Sequence, residues 1–272
     1  MKPWLSSYPV GMPAELPLPA VSLIDAWESA VARVGARPAV FWFDEPISFA
    51  EIDDRAERFA AWLADVGVGP GDRVAVSLQN DPEFLVAQYG AWKRGCVVVP
   101  LSALFKRKEI DFHLADSGAR VWVALDEILS AEGGNCERVL SRTEFNAVVA
   151  RILPRPGVRV PVPVDALAYL VYTSGTTGSP KGSMGLHRHI AFNAMSMRAW
   201  FGVGGDDVIA AVAPLFHITG LVAHLALSAL TGAPLILAHR FQAGEMMRLM
   251  EAHRATFTLA AITAYIAMLR EE

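Results

Sequence analysis

Asp72 to Leu101 reads DRVAVSLQNDPEFLVAQYGAWKRGCVVVPL. Arg73 to Leu78 reads as a continuous, mostly apolar strand. Asp81-Pro82 opens a helix, with proline at the first helical position, where its missing N–H is not needed. Cys96 to Val99 is a second apolar strand, and Gly95 precedes it. Unbroken apolar strands alternating with helices predict parallel sheets covered on both faces.

The alternation continues on both sides. Upstream, a helix over Ser22 to Val34 leads to a strand over Pro38 to Phe43. Ser48 caps a helix running to Val66, with Glu51 three residues on in capping-box spacing. GVGPGD at Gly67 to Asp72 is a turn. Downstream come a helix over Lys106 to Ser117 and a strand over Arg120 to Ala124. A less regular stretch ends in RPGVRVPVPVDA, a proline-rich connector. A strand over Ala168 to Thr173, a loop and a helix from about Leu186 to Trp200 follow. The pattern closes with strands Asp207 to Ala213, Pro234 to Ala238 and Thr256 to Ala260. Helices Thr219 to Leu230, Ala243 to His253 and Ile262 to Arg270 stand between and after them.

The chain has 272 residues and is 53% hydrophobic, enough for a sizeable core. Its net charge of −4 gives no reason to expect nucleic-acid or anionic-membrane binding. Lys106 to Lys108, the one tight basic cluster, reads as a solvated helix start. Cys96 and Cys136 make neither a disulfide framework nor a metal spacing, which suits a reducing, cytoplasmic setting. Residues 1–19 lack an apolar signal core and read as an arm. Val208 to Ala238 contains no Asp, Glu, Lys or Arg. Pro214, Gly220, Gly232 and Pro234 cut it up, so a strand, a buried helix and a second strand are expected there rather than a membrane span.

The loop, YTSGTTGSPKG at Tyr172 to Gly182, follows a strand, where ligands gather in parallel α/β sheets. Glycines 175, 178 and 182 let backbone N–H groups approach an anion. Ser174, Thr176 and Thr177 add neutral donors, and Lys181 a compact positive charge. The residues thus describe a cradle for nucleotide phosphates, with a polar surface turn as the alternative. Pro180-Lys181 stands where a Walker A loop needs Gly-Lys.

YTSGTTGSPKG resembles the signature loop of the adenylate-forming superfamily: acyl-CoA synthetases, aryl-CoA ligases, peptide-synthetase adenylation domains and luciferases. PLFHITG at Pro214 to Gly220 resembles the family's next motif, and Asp72 to Leu101 its usual strand-helix-strand. The resemblance implies two αβα subdomains with mainly parallel sheets. One spans 71–199 and carries the loop; the other combines 20–70 with 200–272. It also implies ATP-dependent activation of a carboxylic acid, a fatty acid first of all, with Mg²⁺ and coenzyme A as cofactors. Thr173, Ser174, Gly175, Thr176, Thr177, Gly178 and Lys181 become nucleotide contacts, Lys181 with a catalytic part and Thr176 with a metal contact. His217 is placed beside the acyl group to shape its tunnel, and Arg240 near coenzyme A phosphates. His187 and Arg188 would steady a helix start, and His224 and His253 are read as structural.

Gly185, Leu186 and His189 depart from the family pattern, as does Ala261-Ile262-Thr263 at the acyl border. The family's later motifs, including Tyr-Gly-x-Thr-Glu and the near-C-terminal lysine, have no counterpart, and no lysine follows Lys181. The expectation is therefore the N-terminal part of a longer synthetase, inactive alone, with a sheet edge that favours a homodimer. An aryl-acid ligase, an adenylation domain serving a carrier protein and a non-catalytic nucleotide-binding remnant stay open.

Overall fold

The computed structural model describes residues 2–173 and 179–271. Helix α1 (Leu23–Val34) starts where the Ser22 hydroxyl accepts the Asp25 N–H and the Asp25 carboxylate accepts the Ser22 N–H. Strands β1 (Pro38–Trp42) and β2 (Glu45–Ser48) form a hairpin. Helix α2 (Phe49–Asp65) follows directly, and Ser48 and Glu51 close the capping box that their spacing predicts. The strand-helix-strand unit is β3 (Arg73–Ser77), α3 (Pro82–Lys93) and β4 (Val97–Pro100), with β3 and β4 parallel. Helix α4 (Arg107–Ser117) and strand β5 (Ala119–Ala124) come next. The stretch read as irregular holds α5 (Asp126–Ala131), β6 (Arg138–Ser141) and α6 (Arg142–Arg151). Ser141 caps α6 by a box with Glu144.

After β7 (Leu167–Thr173) the structure departs from the sequence reading. Lys181 to Leu186 does not run straight into a helix; it forms β8 (Lys181–Leu186), antiparallel to β7, with Thr173 opposite Lys181. Two glycines in six residues weaken helix formation there, and the outer edge of β7 offers a strand partner. Helix α7 (His187–Phe201) then starts within a residue of where the sequence places it, with Leu186 at its N-cap. The charge-poor stretch gives β9 (Ile209–Ala210), a π-helical turn (Gly220–Ala226), α8 (Leu227–Thr231) and β10 (Leu235–Leu237). Among the described residues no helix is long and apolar enough to cross a membrane. Helix α9 (Ala243–Ala252), β11 (Phe257–Thr258) and α10 (Ile262–Met268) complete the order.

Two sheets result. One has six strands in the order β6-β5-β3-β4-β7-β8, parallel except for β8; the other has five, β11-β9-β10-β1-β2, parallel except for β2. Helices α2 and α3 pack closely, and a Cβ on Gly90 would stand 2.8 Å from the Ala56 carbonyl oxygen. Three tryptophans anchor the core, and each indole N–H has a partner. Trp27 donates to Asp53 at 2.7 Å, Trp92 to the Ala168 carbonyl at 3.1 Å and Trp122 to the Ser77 hydroxyl at 2.8 Å.

Asn80, just past β3, ties the sheets together. Its buried Nδ2 donates to the carbonyls of Ala211 at 2.7 Å and Ala213 at 3.1 Å, and its Oδ1 accepts the Leu215 N–H at 2.8 Å. Its backbone N–H reaches the His239 carbonyl at 3.0 Å. Replacing Asn80 with alanine strands three buried backbone groups. Asn80→Ala should lower unfolding free energy by about 2–4 kcal/mol, read from urea denaturation. A loss near zero would mean that the bridge does not hold the sheets together.

Candidate functional site

Strand ends of both sheets converge on two neighbouring cavities, as expected for ligand sites in parallel α/β folds. The first, about 570 Å³, lies between Pro100 after β4, the end of β7 at Thr173, Pro180 and the Phe216-His217 turn. The second, about 780 Å³, is mostly apolar and lies between Asn80 after β3, Ala213 after β9, His239 after β10 and Ala260 after β11. Phe216 and His217 line both.

Of the sequence-predicted phosphate contacts that are described, Thr173 lines the first cavity and Lys181 stands at its edge, next to the lining residue Pro180. Thr173 ends β7, exposed, and pairs in register with Lys181. Lys181 is exposed, and no carboxylate among the described residues pairs with it. Ser174, Gly175, Thr176, Thr177 and Gly178 lie outside the described residues. The hairpin still places a hydroxyl and an ammonium on facing residues at the two mouths of the loop. That arrangement fits a polyphosphate, which needs cationic and neutral donors around one anion. Behind it, the Tyr172 hydroxyl donates to Asp116 at 2.6 Å. Burial and the neighbouring Asp116 carboxylate hold the Tyr172 phenol above its usual range, so it stays protonated. The ring meets His113 edge-on at 4.5 Å, and His113 stacks on Phe105 at 4.7 Å.

His217 stands exposed on a tight turn. Its backbone N–H donates to the Pro214 carbonyl at 3.0 Å, and its Nδ1 accepts the Thr219 N–H at 3.3 Å. The chain then enters the π-helical turn. Only glycine fits at 220, because a Cβ would stand 2.2 Å from the Pro214 carbonyl oxygen. The π turn begins directly after the cavity-lining residue Thr219, and such turns are frequent at functional sites. Arg240 also lines the second cavity; its one close carboxylate among the described residues is Glu127, at 3.9 Å.

Sequence reading passed over a third group. Asp81 is fully buried at the start of α3, yet its side chain does not cap the helix. Its Oδ1 stands 2.6 Å from Nδ1 of His239, and its Oδ2 3.6 Å from Arg142. Burial raises the Asp81 pKa, against the opposing pull of His239 and Arg142. The one signal available in the sequence was an acid-proline pair at a strand end, which capping explained equally well.

His187, His224 and His253 line neither cavity. His187 accepts the Leu23 N–H at 3.2 Å through Nδ1, joining the starts of α7 and α1, and packs edge-on against Trp92 at 5.0 Å. Burial pushes its pKa down to about 4. Arg188 beside it forms an ion pair with Asp165. His224, fully buried in the π turn, is likewise pushed down to about 4. Its ring nitrogens face the carbonyls of Leu259 and Ala213 off hydrogen-bonding geometry. His253 stacks on Phe41 at 4.2 Å, and its Nε2 lies 2.9 Å from the Phe43 carbonyl oxygen. Burial pushes the Cys96 thiol up to about 12, so it is not a nucleophile. Among the described residues no three His, Cys, Asp or Glu side chains gather around a metal position.

These features define a two-sheet α/β protein whose ligand site lies across the strand ends of both sheets. The chain belongs to the AMP-binding enzyme family, whose model matches residues 27–272. It is 29% identical to a long-chain-fatty-acid–CoA ligase of Bacillus subtilis, over 98% of this chain and 55% of that protein. It is 32% identical to a feruloyl-CoA synthase of an Amycolatopsis species, over 82% of this chain and 45% of that protein. The chain thus spans about half the length of the curated relatives it matches. Among solved structures, the N-terminal domain of FACL13 from Mycobacterium tuberculosis superposes with a TM-score of 0.85 at 24% identity, covering 92% of this chain and 65% of that one. The long-chain-fatty-acid-CoA ligase FadD1 from Archaeoglobus fulgidus gives 0.83 at 26%, over 96% and 56%. The two mainly parallel sheets expected from the sequence are the fold of these proteins.

The depressed His187 pKa sets a pH dependence. In the unfolded chain the ring takes a proton near its ordinary pKa of 6.5, and in the fold only near 4. The unfolded state therefore binds more protons across that window, and stability falls as pH drops from 6.5 towards 4. His187→Gln should remove a loss of about 3 kcal/mol across the window. Urea unfolding of both proteins at pH 7 and pH 4.5 reads the difference in slope, and equal slopes would place His187 outside the buried contact.

Proposed function

We propose that this chain supplies the phosphate cradle and the acyl wall of an AMP-forming acid–thiol ligase. In this reaction a carboxylate oxygen attacks the α-phosphorus of ATP, and pyrophosphate leaves with the electron pair of the broken P–O bond. The thiol of coenzyme A then attacks the acyl carbon of the adenylate, and AMP leaves. The supporting observation is the pairing of Thr173 with Lys181 at the mouths of the loop, beside a separate apolar cavity.

Each residue has a part that follows from its place. Lys181 and Thr173, with Ser174, Gly175, Thr176, Thr177 and Gly178, hold the β and γ phosphates. The ammonium of Lys181 steadies the charge that leaves with pyrophosphate. Mg²⁺, when bound with ATP, supplies further charge neutralisation, with Thr176 as its protein contact. His217, in the wall shared by both cavities, keeps the acid's carboxylate at the phosphate side and its tail at the apolar side. Arg240 offers its guanidinium to coenzyme A phosphates. The likeness to the fatty-acid ligases supports a fatty acid as substrate, and the likeness to the feruloyl-CoA synthase supports an aryl acid as the second reading.

Calorimetric titration of the chain with MgATP tests the cradle. Lys181→Ala removes one charge-assisted contact, so affinity should fall about 10–100-fold. Lys181→Arg should recover only part of it, because a planar fork does not replace a compact ammonium. Equal affinity of wild type and Lys181→Ala would remove the cradle from the reading.

A second variant tests the wall. His217→Ala should leave MgATP affinity within about twofold while weakening dodecanoic acid about fivefold or more, since a lost cavity contact costs about 1 kcal/mol. A fall confined to MgATP would reverse the assignment of the two cavities.

A further inference from the structure

The second cavity is apolar over most of its wall, with Val212, Ala213, Phe216 and Ala264 among its linings. His239, with Arg240 next to it, breaks that pattern on the β10 side. Its ring is fixed from two directions. Nδ1 meets Oδ1 of the fully buried Asp81 at 2.6 Å, and the edge of Trp42 lies with ring centroids 6.4 Å away. A carboxylate acceptor at Nδ1 assigns the proton of a neutral imidazole to that nitrogen. Nε2 is then the acceptor, on the opposite edge of the ring, and it has no hydrogen-bond partner among the described residues. The backbone at His239 is left-handed, with φ of +53°. Histidine is among the non-glycine residues that tolerate this region, and Phe43 and Arg254 adopt it as well, so the backbone fixes the ring's position without by itself marking a ligand site. Here the Asn80 N–H holds the His239 carbonyl at 3.0 Å while Asp81, the next residue, holds the ring.

We propose that His239, aligned by Asp81, is a specificity-determining residue that accepts a hydrogen bond from a hydroxyl on the acid's tail. The preferred substrate class is then a carboxylic acid with an apolar body and a phenolic or terminal hydroxyl. This rests on the reading of the second cavity as the acyl site. Asp81 is the positioning residue: it touches no substrate and acts by fixing which nitrogen of His239 carries the proton.

The test is calorimetric titration of the 272-residue chain with two matched pairs of acids. One pair is dodecanoic and 12-hydroxydodecanoic acid, the other 3-phenylpropanoic and 3-(4-hydroxyphenyl)propanoic acid. Wild type should bind the hydroxylated member of at least one pair about tenfold tighter, the worth of one well-formed hydrogen bond. His239→Phe, which keeps the ring shape without a nitrogen, should bring that ratio to about one. His239→Gly, which suits the left-handed backbone, gives the same reading if the phenylalanine variant does not fold. Asp81→Asn should reduce the ratio, because an amide can pair with either tautomer. Equal affinities within both pairs in wild type, or a preference that survives in the His239 variants, would overturn the proposal while leaving the cavity an acid site. No binding of any of the four acids to wild type would instead overturn the acyl-site reading itself.

Discussion

A buried amide must satisfy every one of its hydrogen-bonding groups inside the protein, and at Asn80 that requirement sets the relation of the two sheets. Its side chain binds two carbonyls and one N–H of the segment after β9, and its backbone binds His239 after β10. All four bonds join the end of a strand in one sheet to the ends of strands in the other. No apolar side chain could do this, because packing is tolerant of small shifts and hydrogen-bond geometry is not. With the strand ends pinned together, the space between them becomes a cavity of fixed shape. The left-handed backbone at His239, the buried carboxylate of Asp81 and the turn at Pro214 to His217 all sit within a few residues of that bridge.

Polarity divides the site into two compartments. The cavity at the loop mixes hydroxyl, imidazole and carboxylate groups with apolar side chains, and its neighbour is the more apolar of the two. Phe216 and His217 form the shared wall. An acid joined to a nucleotide has the same division, with an apolar tail and a polyanionic head meeting at one carbon. Gly220 makes the wall thin: with no side chain it lets the π turn approach the Pro214 carbonyl directly. The π turn in turn places His224 behind the apolar compartment without a hydrogen bond. A buried imidazole without a hydrogen bond carries a local cost that packing elsewhere must offset.

The sequence was most legible where one physical cause acted alone. Ser48 with Glu51 predicts a helix start because nothing else explains that spacing, and the structure has it. The apolar runs of β3 and β4 predict parallel buried strands for the same reason. The loop residues could be singled out because so many hydroxyl and glycine residues stand together in one short run of sequence. Legibility failed where two causes competed. Lys181 to Leu186 has neither strand nor helix propensity, and the open edge of β7 decided it. Arg138 to Ser141 became a strand through pairing with β5, a partner remote in sequence. Asp81 looked like an ordinary helix cap, and only the fold brings residue 239 against it.

The position of Asp81 also carries an electrostatic constraint on how the site can work. A fully buried carboxylate with one imidazole and one distant guanidinium is poorly compensated, since Arg142 stands 3.6 Å away and Oδ2 has no hydrogen bond. Burial alone would drive such a group towards its neutral form, and a hydrophobic residue of similar volume would fold at lower cost. A structural bridge between strand ends does not need it, because Asn80 already makes one next door with neutral groups. What the carboxylate adds is an acceptor-only partner that fixes the tautomer and orientation of the imidazole between it and the apolar cavity. The buried Asp81 carboxylate is thus spent on holding the His239 ring, while Asn80, the residue before it, makes the bridge between the strand ends with neutral groups.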